Sequence, residues 1–148
     1  MSQLLQRSGA AFAALLGAAM SLGAHAADDP LPPERQAGVA SYVSGGIGEG
    51  ESRRFEAAFK RYPLVVQLFE NNGQRGEYTA DARVKITNAK GAVVFDEAAE
   101  GPFMLLRLPA GDYRIAASLH GHSVADHEVH VTGSGHAKAT FVFPANAG

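Results

Sequence analysis

The chain has 148 residues, 46% of them hydrophobic and 19% charged, a balance that fits one globular domain. Its formal charge is −2 and its densest basic runs are the pairs Arg53-Arg54 and Lys60-Arg61, so the basic footprint of a nucleic-acid partner is missing. Cysteine is absent, which excludes disulfides, thiolate catalysis and cysteine-ligated zinc.

The first 26 residues carry one charge, Arg7, followed by an Ala- and Leu-rich stretch that ends in Ala24-His25-Ala26, with Asp28 and Asp29 just beyond. A basic start, an apolar middle and a small-x-small end predict a secretory signal peptide over residues 1–26, cut after Ala26. The apolar stretch from Gly9 to Gly23 is shorter than the roughly 20 residues a bilayer span requires. No later stretch is long enough, so no membrane span is expected after cleavage, and the expected location is periplasmic or secreted, in a bacterium. Beyond residue 26 the chain holds 12 basic and 15 acidic side chains, a formal charge of −3.

Residues 27–40 open with "ADDPLPPERQAG", which combines prolines and charges and predicts a disordered, Pro-rich linker. The folded domain is expected over 41–148. In "SYVSGGIGEGESRRFEAAFKRYP", Phe55, Ala58, Phe59 and Tyr62 recur at helical spacing. Glu49 and Glu51 near the start and Lys60 and Arg61 near the end suit the helix dipole, and Pro63 disfavours helix at Tyr62. One amphipathic helix is predicted from about Glu49 to Arg61.

After Pro63 the period changes to that of strands. "LVVQLFE" is followed by "ADARVKIT", in which Ala82, Val84 and Ile86 alternate with Arg83, Lys85 and Thr87, as in a strand with one wet face. The turn from Asn88 to Gly91 leads to "AVVFDE"; "FMLLRL" runs to the turn from Pro109 to Gly111; "DYRIAASL" leads to His120-Gly121-His122; "EVHV" and "HAKATFVF" flank the break from Gly133 to Gly135. Turn signals at about ten-residue intervals predict an antiparallel β-sandwich or barrel, here of about seven strands. No second helical pattern separates the strands, which argues against parallel βαβ architecture.

Opposed residues of an antiparallel pair share a face. A three-residue loop over 120–122 sets Tyr113 opposite Val129, Arg114 opposite Glu128 and Ala117 opposite Ala125. A two-residue loop would set Tyr113 against Glu128. The longer loop is therefore predicted, with a bulge near His127 to resolve the misplaced Val124 and His127. In the preceding turn Pro109 presets φ, Gly111 is free to take positive φ, and Tyr113 returns to the inner face, where its hydroxyl needs a partner.

The stretch "ADARVKITNAKGAVVFDEAAEGPFMLLRLPAGDYRIAASLHGH" resembles the carboxypeptidase-regulatory-like domain, a transthyretin-like (prealbumin-like) β-sandwich. The matching elements are the Asn88–Gly91 turn, the apolar strand before Leu108-Pro109-Ala110-Gly111-Asp112-Tyr113, and the small hairpin at Gly121. "YVSGGIGEGE", from Tyr42 to Glu51, is similar to the lead-in of short exported bacterial proteins that carry such a domain. The resemblance covers about residues 41–143. It implies a fold, a single antiparallel β-sandwich of about seven strands with Greek-key connections, and a non-catalytic module, and it brings no active-site residues with it.

Candidate chemistry is sparse. "GGIGEG" over Gly45–Gly50 is similar to a phosphate-binding loop, but no βαβ unit surrounds it and Glu49 and Glu51 would repel an anion. Beyond residue 26 the histidines all fall between 120 and 136: His120, His122, His127, His130 and His136. His120 and His122 share one hairpin end, whereas His130 lies roughly 26 Å farther along an extended strand. His120 and His122 are therefore the candidate ligands of a transition metal, completed by a partner chain or other groups. Ser44, Ser118, Ser123 and Ser134 lie in no nucleophile elbow. Phe95, Phe103, Phe141 and Phe143 suit a core better than a sugar platform, leaving carbohydrate binding as a fold analogy. The reading that results is an exported, soluble, non-enzymatic β-sandwich module without a cofactor or catalytic residues. It is expected to bind or brace a protein partner in the cell envelope; metal binding through His120 and His122 and carbohydrate binding are the alternatives.

Overall fold

Val84 and Ile86 are fully buried, and Arg83 and Lys85 beside them are exposed. That alternation builds the molecule: side chains of a strand point to opposite faces, so one face enters the core and the other meets water. The computed structural model describes residues 30–71 and 76–145, and the expected signal peptide lies outside them. In chain order the elements are β1 (Arg35–Ala37), β2 (Ala40–Gly45), α1 (Glu49–Ala58) with a 3-10 turn (Phe59–Arg61), β3 (Leu64–Asn71), β4 (Gly76–Tyr78), β5 (Arg83–Asn88), β6 (Val93–Ala98), β7 (Phe103–Arg107), β8 (Gly111–Leu119), β9 (His122–Ser123), β10 (His127–Val131) and β11 (Ala137–Phe143).

The protein is mainly β, with two sheets and one short helix. The first sheet runs β1-β2-β7-β3-β11, with β4 added to the end of β3; the second runs β10-β8-β5-β6, with β9 added to β8. The seven segments that the sequence pattern assigns to strands are β3, β5, β6, β7, β8, β10 and β11. The described residues hold eleven strands rather than about seven, because β2 precedes the helix and β1, β4 and β9 add pieces of two or three residues.

Both sheets contribute to one core. Leu64, Val66 and Leu68 of β3, Met104 and Leu106 of β7 and Phe141 and Phe143 of β11 meet Val84 and Ile86 of β5, Phe95 of β6 and Ile115 and Leu119 of β8. A second cluster joins Phe55 and Ala58 of α1 and Tyr62 to Val43, Val65, Phe103 and Leu105 on the other face of the first sheet. Strand β7 is thus buried on both faces from Phe103 to Leu106. The stripe predicted for the helix is the face it buries. Burying one such large apolar side chain contributes about 1.5–3 kcal/mol.

Three expectations are corrected. Within the span 27–40 predicted as linker, the described residues include strand: β1 pairs with β2 in the register Arg35↔Tyr42 to Ala37↔Ala40, Ala40 is fully buried, and Leu31 packs on the cluster beneath the helix. The sandwich was expected to be wholly antiparallel, yet β11 runs parallel to β3, from Ala137↔Leu64 to Phe143↔Glu70. β7 already occupies the other side of β3, and the Ala137 N–H donates to the Pro63 carbonyl at 2.9 Å, so β11 starts where β3 starts.

The third correction concerns the β8–β10 hairpin. Its body has the predicted register, Tyr113↔Val129 and Arg114↔Glu128. Its tip has the other one: Leu119↔His122 and Ser118↔Ser123 close a two-residue turn at His120-Gly121, with φ of 47° and 86°. The register slips by one residue between Ser123 and His127. The slip lets Val124 turn into the core while Ala125, expected opposite Ala117, is exposed. Gly111 takes a positive φ of 158°, as its place at the turn exit led us to expect.

Two close approaches fix the loops that join the layers. A Cβ on Gly101 would lie 2.4 Å from the Gly45 backbone, so the β6–β7 loop can cross the end of β2 only with glycine there. At that crossing the Glu100 N–H donates to the Ser44 hydroxyl at 2.8 Å. At the far side of the sheets the His127 ring meets the Phe141 ring edge-on at 4.6 Å, where β10 and β11 come together. Among the described residues no helix is long and apolar enough to cross a membrane.

Candidate functional site

The alternation that fills the core leaves the outer face of the second sheet polar, and the register arranges that face in rows. Thr87 of β5, Arg114 of β8 and Glu128 of β10 lie side by side; Asp112 and His130 form the next row of β8 and β10. These residues, with Asn88, line a cleft of about 600 Å³ beside the β5–β6 turn. The turn itself is held by Asn88, whose side-chain oxygen accepts the N–H groups of Lys90 and Ala92 at 3.0 Å each, while Gly91 takes φ 80°. A short polar side chain that bonds its own backbone is the usual reason for asparagine in such a turn.

The charges in the cleft are matched across strands. Arg114 donates to Glu128 at 2.7 Å, and His130 Nδ1 lies 2.6 Å from an Asp112 carboxylate oxygen. Arg83 and Asp96 continue the pattern diagonally at 2.8 Å on the β5–β6 side. The hydrogen bond that Glu128 accepts, and then its charge, raise the already high pKa of the Arg114 guanidinium. All of these groups are exposed, so each pair adds little to stability. What they provide is a fixed pattern of donors and acceptors on a rigid sheet.

A second polar assembly lies on the first sheet, at the end of the 3-10 turn. The Glu34 carboxylate accepts the Tyr62 hydroxyl at 2.9 Å and the Arg107 Nε–H at 3.1 Å. Arg107 Nη1 donates to the Arg61 carbonyl at 3.1 Å, and its guanidinium lies over the Tyr62 ring at 4.3 Å. The hydrogen bond from Tyr62 lowers the Glu34 pKa most; partial burial works against it, and the Arg107 hydrogen bond and charge add to it. Burial, then the bond to Glu34, raises the pKa of Tyr62. The sequence pattern missed this assembly because proline and charge in "PLPPER" read as solvated chain. The available signal was Gly38, a glycine leading a two-residue hairpin turn between short alternating runs.

The five histidines of residues 120–136 are dispersed. His120 occupies the first position of the hairpin turn and His122 stands opposite Leu119 in β9; both are exposed. His127 packs on Phe141, His130 pairs with Asp112, and His136 Nδ1 lies 3.2 Å from the Tyr62 carbonyl oxygen. Among the described residues no group of three or more His, Cys, Asp or Glu side chains is placed to hold a metal ion. Phe95, Phe103, Phe141 and Phe143, the aromatics considered for a sugar platform, are all buried.

The Gly45–Gly50 loop leads into α1, but its geometry is committed to the chain itself. Gly46 takes φ 103° with its N–H donating to the Glu51 carboxylate at 2.9 Å, and a Cβ there would meet the Phe103 ring at 2.4 Å. A carboxylate thus occupies an amide that a phosphate would need. No protein-family model matches the chain, and no curated protein matches it either.

Proposed function

We propose that the chain is an exported, non-enzymatic β-sandwich module that binds or braces a protein partner in the bacterial cell envelope. The observation that carries this reading is the division between the two faces of the second sheet. The inner face enters the core through Val84, Ile86, Ile115 and Leu119, and the outer face is a polar lattice with a cleft at one end. Two sheets sharing one core, with the chain passing from β6 to β7 in the other sheet and back to β8, support a Greek-key sandwich. The β7–β8 turn supports the likeness to the carboxypeptidase-regulatory-like, transthyretin-like class: Tyr113 lies on the inner face and its hydroxyl donates back to the Pro109 carbonyl at 2.7 Å.

On this reading the rows of Thr87, Arg114, Glu128, Asp112 and His130 meet the partner. Exposed cross-strand ion pairs are weak individually, and their groups can exchange partners with a complementary surface at small cost. Two measurements test the proposal. Mass spectrometry of protein recovered from a bacterial periplasm is expected to give a mature N-terminus at Ala27; an uncleaved chain in the cytosol would overturn export. A photo-crosslinking residue placed at Lys85 or Glu128 is expected to trap one discrete envelope protein in the source cell, and one at Ala57 on α1 is not. The same adduct from all three positions, or no adduct from any, would overturn docking through the second sheet.

A further inference from the structure

We propose that the cleft between the 3-10 turn and the β10–β11 loop is a binding site for a phosphate-type oxyanion. The cleft holds about 330 Å³, and its wall gathers Lys60, Arg61, Arg107 and His136 around the loop from Thr132 to Gly135. Among the described residues no carboxylate lines it. Three Lys and Arg side chains with a histidine in one concavity stand out in a chain whose Asp and Glu residues exceed its Lys and Arg, 15 to 13. Clefts lined by one sign of charge concentrate counter-ions.

The donors are held in place. Arg107 is gripped from three sides: Glu34 takes its Nε–H, the Arg61 carbonyl takes Nη1, and the Tyr62 ring lies 4.3 Å beneath its plane. A guanidinium has five N–H donors, so these two bonds leave the others for a ligand, and little freedom remains to be lost on binding. The His136 ring is also oriented, because a carbonyl oxygen only accepts: Nδ1 must carry the proton that Tyr62 receives at 3.2 Å. Among the described residues the side chains of Lys60 and Arg61 have no ion-pair partner. Lys138, with its ammonium 5.3 Å from the Phe59 ring centre, extends the positive rim along β11.

The loop supplies neutral donors. Thr132 and Ser134 bring hydroxyls, and the backbone from Gly133 to Gly135 brings amides, in a stretch so tight that a Cβ on Gly135 would lie 2.3 Å from Thr132 Oγ1. Glycine-rich backbone with flanking hydroxyls and a fixed guanidinium is the donor set that tetrahedral oxyanions take. The Glu34 carboxylate buttresses Arg107 without closing the cleft. This site lies on the first sheet and stands whether or not the second sheet docks a protein.

The ligand's shared chemistry is a phosphate group, carried either by a free ion or by a phospholipid headgroup. The test follows amide resonances of the 15N-labelled protein at low ionic strength in three titrations: inorganic phosphate, glycerol phosphate, and vesicles of phosphatidylglycerol with phosphatidylcholine. Saturable shifts of Gly133, Gly135 and His136 with a free phosphate are expected, weakened at least tenfold in the Lys60→Gln, Arg61→Gln double variant and unchanged in Arg114→Gln. Vesicle binding that the same double variant abolishes, without a response to free phosphate, assigns the headgroup as the source. No saturable response in any titration, or one that Arg114→Gln weakens as much as the double variant does, would overturn the site. Both replaced side chains are exposed, so the double variant is expected to keep its fold, checked by an unchanged spectrum away from the cleft.

Discussion

The Tyr62 hydroxyl donates to the Glu34 carboxylate at 2.9 Å, joining the segment before β1 to the end of the helical region. The same carboxylate takes the Arg107 Nε–H, so one acidic side chain ties together β1, the 3-10 turn and β7. Its pKa is lowered, chiefly by the Tyr62 bond; burial, the next largest effect, opposes this, and the Arg107 bond and charge add to the lowering. A carboxylate lowered in the fold contributes stability above its unfolded pKa, about 4.3, and that contribution is lost as pH falls through the folded value. Glu34→Gln is therefore expected to lower the melting temperature at pH 6–7, with the gap to the parent closing below about pH 4. Melting curves across pH check this; a gap that stays constant would mean that the charge of Glu34 is not what matters. Because Glu34 is partly exposed, solvent screening keeps the effect modest.

The tyrosines give the opposite limb. Burial raises the pKa of Tyr42, Tyr62 and Tyr113, with Glu34 adding to the effect at Tyr62. A phenol raised in the fold stabilises it below the unfolded value near 10 and loses that contribution as pH climbs toward the folded value. Absorbance titration of the phenolates is expected to show three of the four tyrosines ionising late, together with alkaline unfolding. Tyr113→Phe is expected to cost about 1 kcal/mol in urea denaturation, the usual worth of one hydrogen bond, and to remove one late phenol.

Sequence periodicity located most of the strands because burial follows alternation directly: Ala82, Val84 and Ile86 could only point inward, and Tyr113 opposite Val129 is the pairing that hides both. Arg114 beside Glu128, and with it the row of Asp112 and His130, follows from that same register. Alternation carries no direction, however, so it could not reveal that β11 lies parallel to β3. The conflict of parity at Val124 and His127 was visible and pointed to an irregularity. Its form was not, because the tip and the body of the hairpin satisfy different registers. The segment from Leu31 to Ala37 was illegible for another reason. Its order rests on Glu34 reaching Tyr62 and Arg107, contacts that composition cannot display, and the cationic cleft likewise gathers residues from three distant stretches of chain.

Phe55 decides whether α1 is part of the domain. It is fully buried, and its ring lies nearly parallel to that of Phe103 at 6.1 Å, above Val65 and Leu105. Phe55→Ala is expected to cost about 3–5 kcal/mol, the range for removing a buried aromatic ring. Hydrogen exchange adds a local readout: the amides of α1 in the parent protein should be protected nearly as long as those of β7. Rapid exchange throughout α1, with β7 protected, would show that the helix is not held on the sheet.

His120 separates turn chemistry from metal chemistry. At φ 47° it occupies backbone that asparagine tolerates better than histidine, and Gly121 follows at φ 86°. His120→Asn is expected to stabilise the protein by a few tenths of a kcal/mol, whereas Gly121→Ala should cost about 1–2 kcal/mol. If His120 and His122 ligate zinc, calorimetry on the parent will show saturable binding that His120→Ala with His122→Ala abolishes. The dispersal of the other three histidines leads us to expect no such binding.

Two glycines of one chain should respond to alanine with opposite sign. Gly101 faces the Gly45 backbone at a distance no Cβ tolerates, and neither backbone can yield without moving β2 or the β6–β7 loop, which the Ser44 hydroxyl and the Glu100 N–H hold together. Gly101→Ala is expected to destabilise by about 1–3 kcal/mol, the cost of overpacking. Gly50 lies in the first turn of α1, its backbone outside the left-handed region and open space where a Cβ would go. Alanine there only narrows the unfolded ensemble and improves helix propensity, so Gly50→Ala should stabilise by about 0.4–1 kcal/mol. Urea denaturation of both variants reads the two effects on one scale. Equal signs would mean that the crossing of the loop over β2 is looser than the 2.4 Å approach requires.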